Sequence, residues 1–328
     1  MLEIRNLKIS VGTLPIVEIA KLDIGAGRRL GIVGESGSGK SLTATSIIGL
    51  QPRGLSVTGS IRFEGEDLAG VGDIALARVR GRRIGFVPQD PTRSLNPTTR
   101  IGGQVKEAVR LATGLGAAAA WARAEMLLGQ VRLPDVSALM RRYPHQISGG
   151  QQQRVLIAMA MAGNPALLIA DEPTTALDVT VQNEILRLIV ELSEEKNMAL
   201  LFVSHELGVV KAVCHQIGVV YGGNLVELGD TADIVARPRH RYTQALLSAN
   251  PGLSDRAGLE RLMGTRFQTI RGNVPPVGQF PSGCRFRDRC GHTAPACAEL
   301  PGVSHAGPGH EYACWNPVPH GQGAEETA

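Results

Sequence analysis

Long apolar runs are missing from this 328-residue chain. Stretches such as Ala166 to Ala170 and Ala199 to Val203 fall far short of the roughly 20 residues that a helix needs to cross a bilayer. The sequence therefore reads as a protein without a membrane-spanning helix. Its start, Met1-Leu2-Glu3-Ile4-Arg5-Asn6, lacks the basic residues and continuous apolar stretch of a secretion signal. The expectation is a cytoplasmic protein, whose five cysteines are reduced or metal-bound rather than disulfide-paired. Charge of one sign is not in excess either, since 34 Lys and Arg against 30 Asp and Glu leave +4. Such a balance does not call for nucleic acid, and Arg78, Arg80, Arg82 and Arg83 read as a solvated face. No internal repeat of solenoid length is present. Aromatic residues are scarce at 4%, and none precedes Phe63.

What is present is enough hydrophobic residue, 43%, for a large core in one or two domains. From about residue 28 to 225, short apolar strands alternate with longer helical stretches, which predicts a parallel sheet flanked by helices. Residues 1–30 and 55–67 read instead as an antiparallel side sheet, from the alternation of Leu2, Ile4, Leu7 and Ile9 and of Val57, Ile61 and Phe63. Gly114 to Leu128 and Gln151 to Met161 predict helices, which places a helical subdomain at about residues 90–163. Beyond residue 250 prolines and glycines crowd the chain. That part reads as loop-rich, with Gly321 to Ala328 as a disordered tail. The domains so drawn are 1–250 and 251–328.

Gly34-Glu35-Ser36-Gly37-Ser38-Gly39-Lys40-Ser41 matches G-x-x-x-x-G-K-[ST] in full, after the apolar run Leu30 to Val33 and before a helical stretch. The glycines let backbone N–H groups approach adjacent phosphates, and a helix starting near Lys40 directs its free N–H groups and positive dipole end at them. Lys40 would reach the β- and γ-phosphates, and the Ser41 hydroxyl would ligate Mg²⁺. A second glycine-rich helix entry occurs at Ile147-Ser148-Gly149-Gly150-Gln151, and a helix N-terminus of small residues is another anion site. Further on, Leu167 to Ala170 is an apolar strand that ends in Asp171 and Glu172. Adjacent strand residues point to opposite faces, so the two carboxylates are expected to take different jobs.

Together these motifs resemble the ATP-binding cassette (ABC) family. The resemblance implies an α/β P-loop NTPase cassette: a parallel sheet core, an antiparallel side sheet and a helical subdomain. In that family the serine-glycine motif of one subunit closes on the ATP of another, so Ser148, Gly149, Gly150 and Gln151 would complete a partner's site. It further implies that Asp171 holds Mg²⁺ through water and that Glu172 is the general base for the attacking water. Gln89, within Phe86-Val87-Pro88-Gln89-Asp90, would contact Mg²⁺ and that water. His205, after Val203-Ser204, would touch the γ-phosphate, and Asp178 would lie in the loop that crosses the dimer interface. One departure stands out. The family stacks adenine on an aromatic residue near the position of Val11, so here the base would rest on aliphatic groups, with weaker discrimination between ATP and GTP. Glu206 also stands where aspartate is usual.

The resemblance sharpens at Gln89 to Pro97, Tyr143 to Gln151 and Asp171 to Thr180. These segments are similar to the ATPase subunits of bacterial dipeptide and oligopeptide importers. Arg239 to Leu247 resembles the end of that branch's ATPase domain, with Arg241 in place of its usual proline. The partners implied are a second, related ATPase subunit, two transmembrane permeases and an external substrate-binding protein, at the cytoplasmic face of the bacterial inner membrane. Glutathione, a nickel chelate or a peptide-like antibiotic are alternative substrates. A non-transport ABC ATPase is less favoured, because neither a second cassette nor a long coiled-coil insertion is present.

Cys284, Cys290, Cys297 and Cys314 fall within 31 residues of a region too rich in proline and glycine to bury a large core. Something must hold it together. Spacings of five, six and sixteen intervening residues match neither zinc-ribbon C-x₂-C pairs nor the common ferredoxin run, so spacing points to metal without choosing one. The resemblance implies a [4Fe–4S] cluster, with Zn²⁺ second and unliganded or disulfide cysteines third. His292, His305 and His310 could substitute as ligands but read rather as surface residues, and Cys214 as a small buried one.

Overall fold

The computed structural model describes residues 1–175, 177–250 and 269–319. The alternation at the start of the chain forms β1 (Leu2–Val11), whose apolar positions Leu2, Ile4, Leu7 and Ile9 are all buried. It pairs antiparallel with β2 (Leu14–Ile24) on one side and with β4 (Leu55–Phe63) on the other, and β5 (Glu66–Asp67) extends β4. The parallel core is built from β3 (Arg29–Val33), β6 (Ile84–Val87), β7 (Leu167–Asp171), β8 (Ala199–Ser204) and β9 (Gln216–Tyr221). Its central strands bury both faces and are continuously apolar, as parallel strands covered on two sides must be. Leu168 and Ala170 of β7 enter one hydrophobic core, Leu167 and Ile169 the other.

The sequence separates the side sheet from the parallel sheet; the structure joins them. β10 (Asn224–Asp230) pairs antiparallel with β9 and meets β2 in parallel at Asn224 and Glu18. The order is therefore β5-β4-β1-β2-β10-β9-β3-β8-β7-β6 in one sheet. The β9–β10 turn uses Gly222 and Gly223 with φ of 56° and 86°, the left-handed pair that a tight hairpin needs. A Cβ on Gly223 would lie 1.8 Å from the Ile16 carbonyl oxygen. That close approach lets the Gly223 N–H donate to Ser38 O at 3.0 Å and its carbonyl accept from Glu18 N at 2.8 Å.

The helical subdomain holds α3 (Pro91–Ser94), α4 (Ile101–Thr113), α5 (Ala117–Gln130), α6 (Val136–Leu139) and α7 (Gly149–Ala160). Sequence periodicity finds α5 and α7 but not α4. Gly102 and Gly103 weaken that helix intrinsically, yet Ile101, Val105 and Val109 bury one face and a Cβ on Gly102 would sit 2.8 Å from Met140 Cβ. Tertiary packing overrides propensity there. Gly114, expected inside a helix, ends α4 in the left-handed conformation at φ 75°. The other α-helices among the described residues are α1 (Lys40–Ile47), α2 (Asp73–Ala77), α8 (Val179–Glu195), α9 (Leu207–Val213), α10 (Thr231–Ala236) and α11 (Arg241–Ser248). Two of the arginines read as a solvated face are partly enclosed. Arg80 Nε donates to Ile48 O at 2.6 Å, and Arg83 lies over the Phe63 ring while pairing with Glu64 and Glu66.

The C-terminal region packs on the cassette through β11 (Ser304–Gly307) and β12 (His310–Tyr312), with β12 pairing antiparallel to β10 at Glu227 and Leu228. His310 is buried rather than at the surface, because its Nε2 lies 2.8 Å from the fully buried Glu227 carboxylate. Glu227 also accepts the backbone N–H groups of Arg239 at 2.6 Å and His240 at 2.8 Å. Arg241 donates to Asn316 O at 3.0 Å and Pro317 O at 3.3 Å. Cys214 is buried as expected. The anticipated tail at 321–328 lies outside the described residues.

His240 caps α11 as a neutral ring: its Nδ1 accepts from Tyr242 N at 3.0 Å, while its buried Nε2 has no partner among the described residues. Burial pulls its pKa down to about 4, against the opposing pull of Glu227. The unfolded imidazole, near 6.5, takes up a proton first on acidification. The stability tied to neutral His240 is therefore complete above pH 6.5 and lost as pH falls toward 4. Between about pH 7.5 and pH 5 the protein should lose about 2 kcal/mol more than a His240→Gln variant in urea unfolding; parallel pH profiles would remove His240 from that role.

Candidate functional site

The Gly34–Ser41 loop leaves the carboxyl end of β3, between β8 and β9, which is where open α/β sheets bind ligands. Two glycines set its path. A Cβ on Gly34 would stand 2.1 Å from Val220 O, and Gly39, at φ 91°, leads into α1 against Val17. Lys40 is buried, and its Nζ donates to Gly34 O at 2.8 Å and Glu35 O at 3.0 Å, folding the ammonium over its own loop. Burial lowers its pKa, opposed by Glu172, Asp171 and Glu35. A cation held half-desolvated in this way is matched to an incoming anion.

Ser41 Oγ donates to Asp171 Oδ1 at 2.8 Å, joining the loop to the end of β7. Burial raises the Asp171 pKa, with the Ser41 hydrogen bond and Lys40 opposing. The two oxygens are the hard donors that Mg²⁺ takes alongside water and phosphate, a cation that does not require an all-protein cage. Glu172 departs from the strand alternation expected of it. It lies beyond β7 with φ 46°, its N–H bonded to Val203 O at 2.9 Å. That left-handed turn gives it a direction of its own. One oxygen, Oε2, meets Gln89 Nε2 at 3.0 Å, Thr175 Oγ1 at 3.0 Å and His205 Nδ1 at 3.1 Å, with the side chain only 11% exposed. Three side chains thus converge on one carboxylate oxygen. Sequence reasoning misses Thr175, whose signal is the threonine pair that follows Pro173.

The second glycine motif is built separately. Ser148 caps α7, its Oγ accepting from Gln151 N at 3.3 Å while Gln151 Oε1 accepts from Ser148 N at 3.0 Å, a reciprocal capping box. Asp178 caps α8 by accepting from Val181 N at 2.9 Å. The two helix starts touch, since a Cβ on Gly150 would lie 2.6 Å from Val181 Cγ1 and one on Gly149 3.6 Å from Leu177. Among the described residues no hydrogen bond or ion pair links Ser148–Gln151 or Asp178 to Gly34–Ser41.

The four C-terminal cysteines are free thiols. Burial, first, pushes Cys284 up to about 11, and Cys297, Cys314 and Cys290 add to it. Cys290 and Cys314 are raised in the same way, so the four sulfurs are electrostatic neighbours. Backbone N–H groups of His292 and Ala294 point at Cys290 Sγ and Cys297 Sγ, at 3.4 and 3.5 Å. Among the described residues, however, no three His, Cys, Asp or Glu side chains are arranged to hold a metal ion.

A phosphate loop braced by a buried lysine, and facing an acidic strand end with a convergent glutamate, defines a P-loop ATPase of the ATP-binding cassette type. The chain belongs to the ABC transporter family, whose family model matches residues 17–175, and the model described as the oligopeptide/dipeptide transporter C-terminal region matches residues 226–297. It is 40% identical to the oligopeptide transport ATP-binding protein OppD of Salmonella typhimurium, over 97% of this chain and 94% of that protein. A putative peptide import ATP-binding protein of Brucella melitensis is 43% identical over 91% of this chain and 90% of its own length. Among solved structures it is similar to the ATP-binding cassette MJ0796, a dimer in a post-hydrolysis state with ADP and phosphate. That likeness has a TM-score of 0.62 at 28% identity, over 70% of this chain and 99% of the other.

At the β1–β2 turn, Val11 and Leu14 are 46% and 37% exposed, whereas Phe63, the first aromatic residue, is 0% exposed and cannot stack on a base. Stacking contributes about 1–3 kcal/mol. Without it, the Michaelis constants for ATP and GTP should agree within about fivefold; a preference for ATP of about a hundredfold would contradict an aliphatic base site.

Proposed function

We propose that the chain is the ATP-binding and ATP-hydrolysing subunit of an importer of dipeptides or oligopeptides. It acts with a second, related ATPase subunit, two transmembrane permeases and an external substrate-binding protein, at the cytoplasmic face of the bacterial inner membrane. No helix among the described residues is long and apolar enough to cross a membrane, so passage of substrate falls to other chains. The similar oligopeptide transport protein of Salmonella and putative peptide import protein of Brucella support peptides as cargo. Residues 1–250 would form the cassette and 251–328 the extension.

The observation that carries this reading is the meeting of Gln89, Thr175 and His205 at Glu172 Oε2. In the proposed cycle, Lys40 exchanges its loop carbonyls for phosphate oxygens, a swap that needs little movement. Backbone N–H groups of Glu35, Ser36, Gly37, Ser38 and Gly39 surround the phosphates. Ser41, Asp171 and Gln89 would hold Mg²⁺, which neutralises charge that builds on the β- and γ-oxygens. Glu172 takes the proton of the attacking water, oriented by Gln89, with His205 beside the γ-phosphate. Ser148, Gly149, Gly150 and Gln151, with Asp178 alongside, offer the start of α7 to ATP bound by the partner subunit. Transport couples to this cycle because ATP binds the closed pair better than the open one.

The four cysteines would carry a [4Fe–4S] cluster, with zinc as the alternative. Their free thiols and the N–H groups aimed at two of the sulfurs are what supports this reading. Cys284, Cys290, Cys297 and Cys314 would supply four thiolates, a donor set that suits either group. Bound there, it would staple the loop-rich region.

Two measurements test this reading. Glu172→Gln should retain ATP binding and lower turnover by about 10²–10⁴-fold; unchanged turnover removes Glu172 as the base. Protein purified without air should contain iron and acid-labile sulfide in proportion to chain, and stoichiometric zinc without iron would replace the cluster with a zinc site.

A further inference from the structure

Glu35 is the second residue of the phosphate loop, yet both of its polar ends are held by residues from far along the chain. Its N–H donates to the buried Tyr242 hydroxyl at 2.9 Å. Its carboxylate receives both terminal nitrogens of Arg289, Nη1 to Oε2 at 2.6 Å and Nη2 to Oε1 at 3.0 Å. Arg289 is itself immobilised: its side chain is 6% exposed against 28% for Glu35. Its Nε and Nη2 donate to Arg271 O at 2.7 Å and Gly272 O at 3.1 Å, and its guanidinium lies 5.7 Å from the Tyr221 ring. Such a planar two-pronged pair fixes orientation as well as charge.

We propose that Arg289 is a positioning residue for the ATP site, reaching from the cysteine-bearing region to set the conformation of the phosphate loop through Glu35. This rests on the loop being the nucleotide site. The path is short: Arg289 fixes the Glu35 carboxylate, and the Glu35 carbonyl accepts from Lys40 Nζ at 3.0 Å. Freeing Glu35 would loosen both the loop N–H groups and the lysine that must meet the phosphates. An ordered loop has less entropy to lose when ATP arrives. The pair also cancels a negative charge that would otherwise stand unneutralised in a site for anions. ATP affinity in this chain therefore depends on a residue directly preceding Cys290.

The test is equilibrium binding of a fluorescent ATP analogue to the full chain, with turnover measured alongside. Arg289→Ala should raise Kd and KM by on the order of tenfold with kcat little changed, and Arg289→Lys should recover part of the loss. Adding Glu35→Gln to Arg289→Ala should also recover part of it, since the unpaired carboxylate is then gone. Arg287→Ala, on the same turn but bonded to Asp288 and Ser282, should bind as the unaltered chain does. The proposal is overturned if Arg289→Ala binds normally, if its loss is the same with and without Glu35→Gln, or if Arg287→Ala matches it. Lys40→Ala separates the two readings: if it binds ATP normally, the nucleotide site itself is misplaced; if it abolishes binding while Arg289→Ala is normal, only the brace fails.

Discussion

The Gly222-Gly223 turn is the constraint on which the rest of the molecule depends. Its backbone is bonded to the phosphate loop through Ser38 and to the side sheet through Glu18, and the Arg285 guanidinium donates to the Gly222 carbonyl from the C-terminal side. Three parts of the chain that are distant in sequence therefore share one left-handed dipeptide. A side chain at Gly223 would collide with Ile16 O, so the contact exists only because nothing occupies that space. The loop is consequently held on its strand side before any nucleotide binds.

Around that fixed loop the site stores charge in an unfavourable state. Lys40 is buried and its ammonium disfavoured; Asp171 is buried and its carboxylate disfavoured. Each is only partly compensated by neighbours, and the missing compensation has the signs of phosphate and Mg²⁺. Burial that looks costly in the isolated chain becomes affinity once ligands of complementary charge arrive. Glu172 has one oxygen surrounded by three polar side chains, which fixes its direction.

The sequence made the local parts of this site legible. Gly34 to Ser41, Asp171, Glu172 and the Ser148 to Gln151 helix entry are each read from a few consecutive residues, because spacing along a loop or helix start determines their geometry. Gln89 and His205 needed the resemblance, since a single polar residue after a strand carries no signal of its own. Other features escaped because they are long-range. Arg289 and Glu35 are separated by 254 positions and His310 and Glu227 by 83, and no periodicity connects such pairs. The Gly102-Gly103 pair hid α4 because its packing against Met140 is visible only in three dimensions. Strand alternation assigns Glu172 a direction that its positive φ cancels.

β12 has a bearing on how the molecule is made. Beyond Asn224, where β10 leaves β2, the β10 edge at Glu227 and Leu228 is closed by Tyr312 and Glu311. On a ribosome that edge emerges first, and residues 229 to 311 must follow before its partner exists. At roughly 5–20 residues per second this takes several seconds. During that interval β10 presents unpaired backbone groups, and Glu227 lacks His310, in a nascent chain whose phosphate loop has already been synthesised. The stretch between translation of β10 and arrival of β12 is thus a period of exposure to mispairing with other strands, which gives chaperone capture a defined interval in which to act.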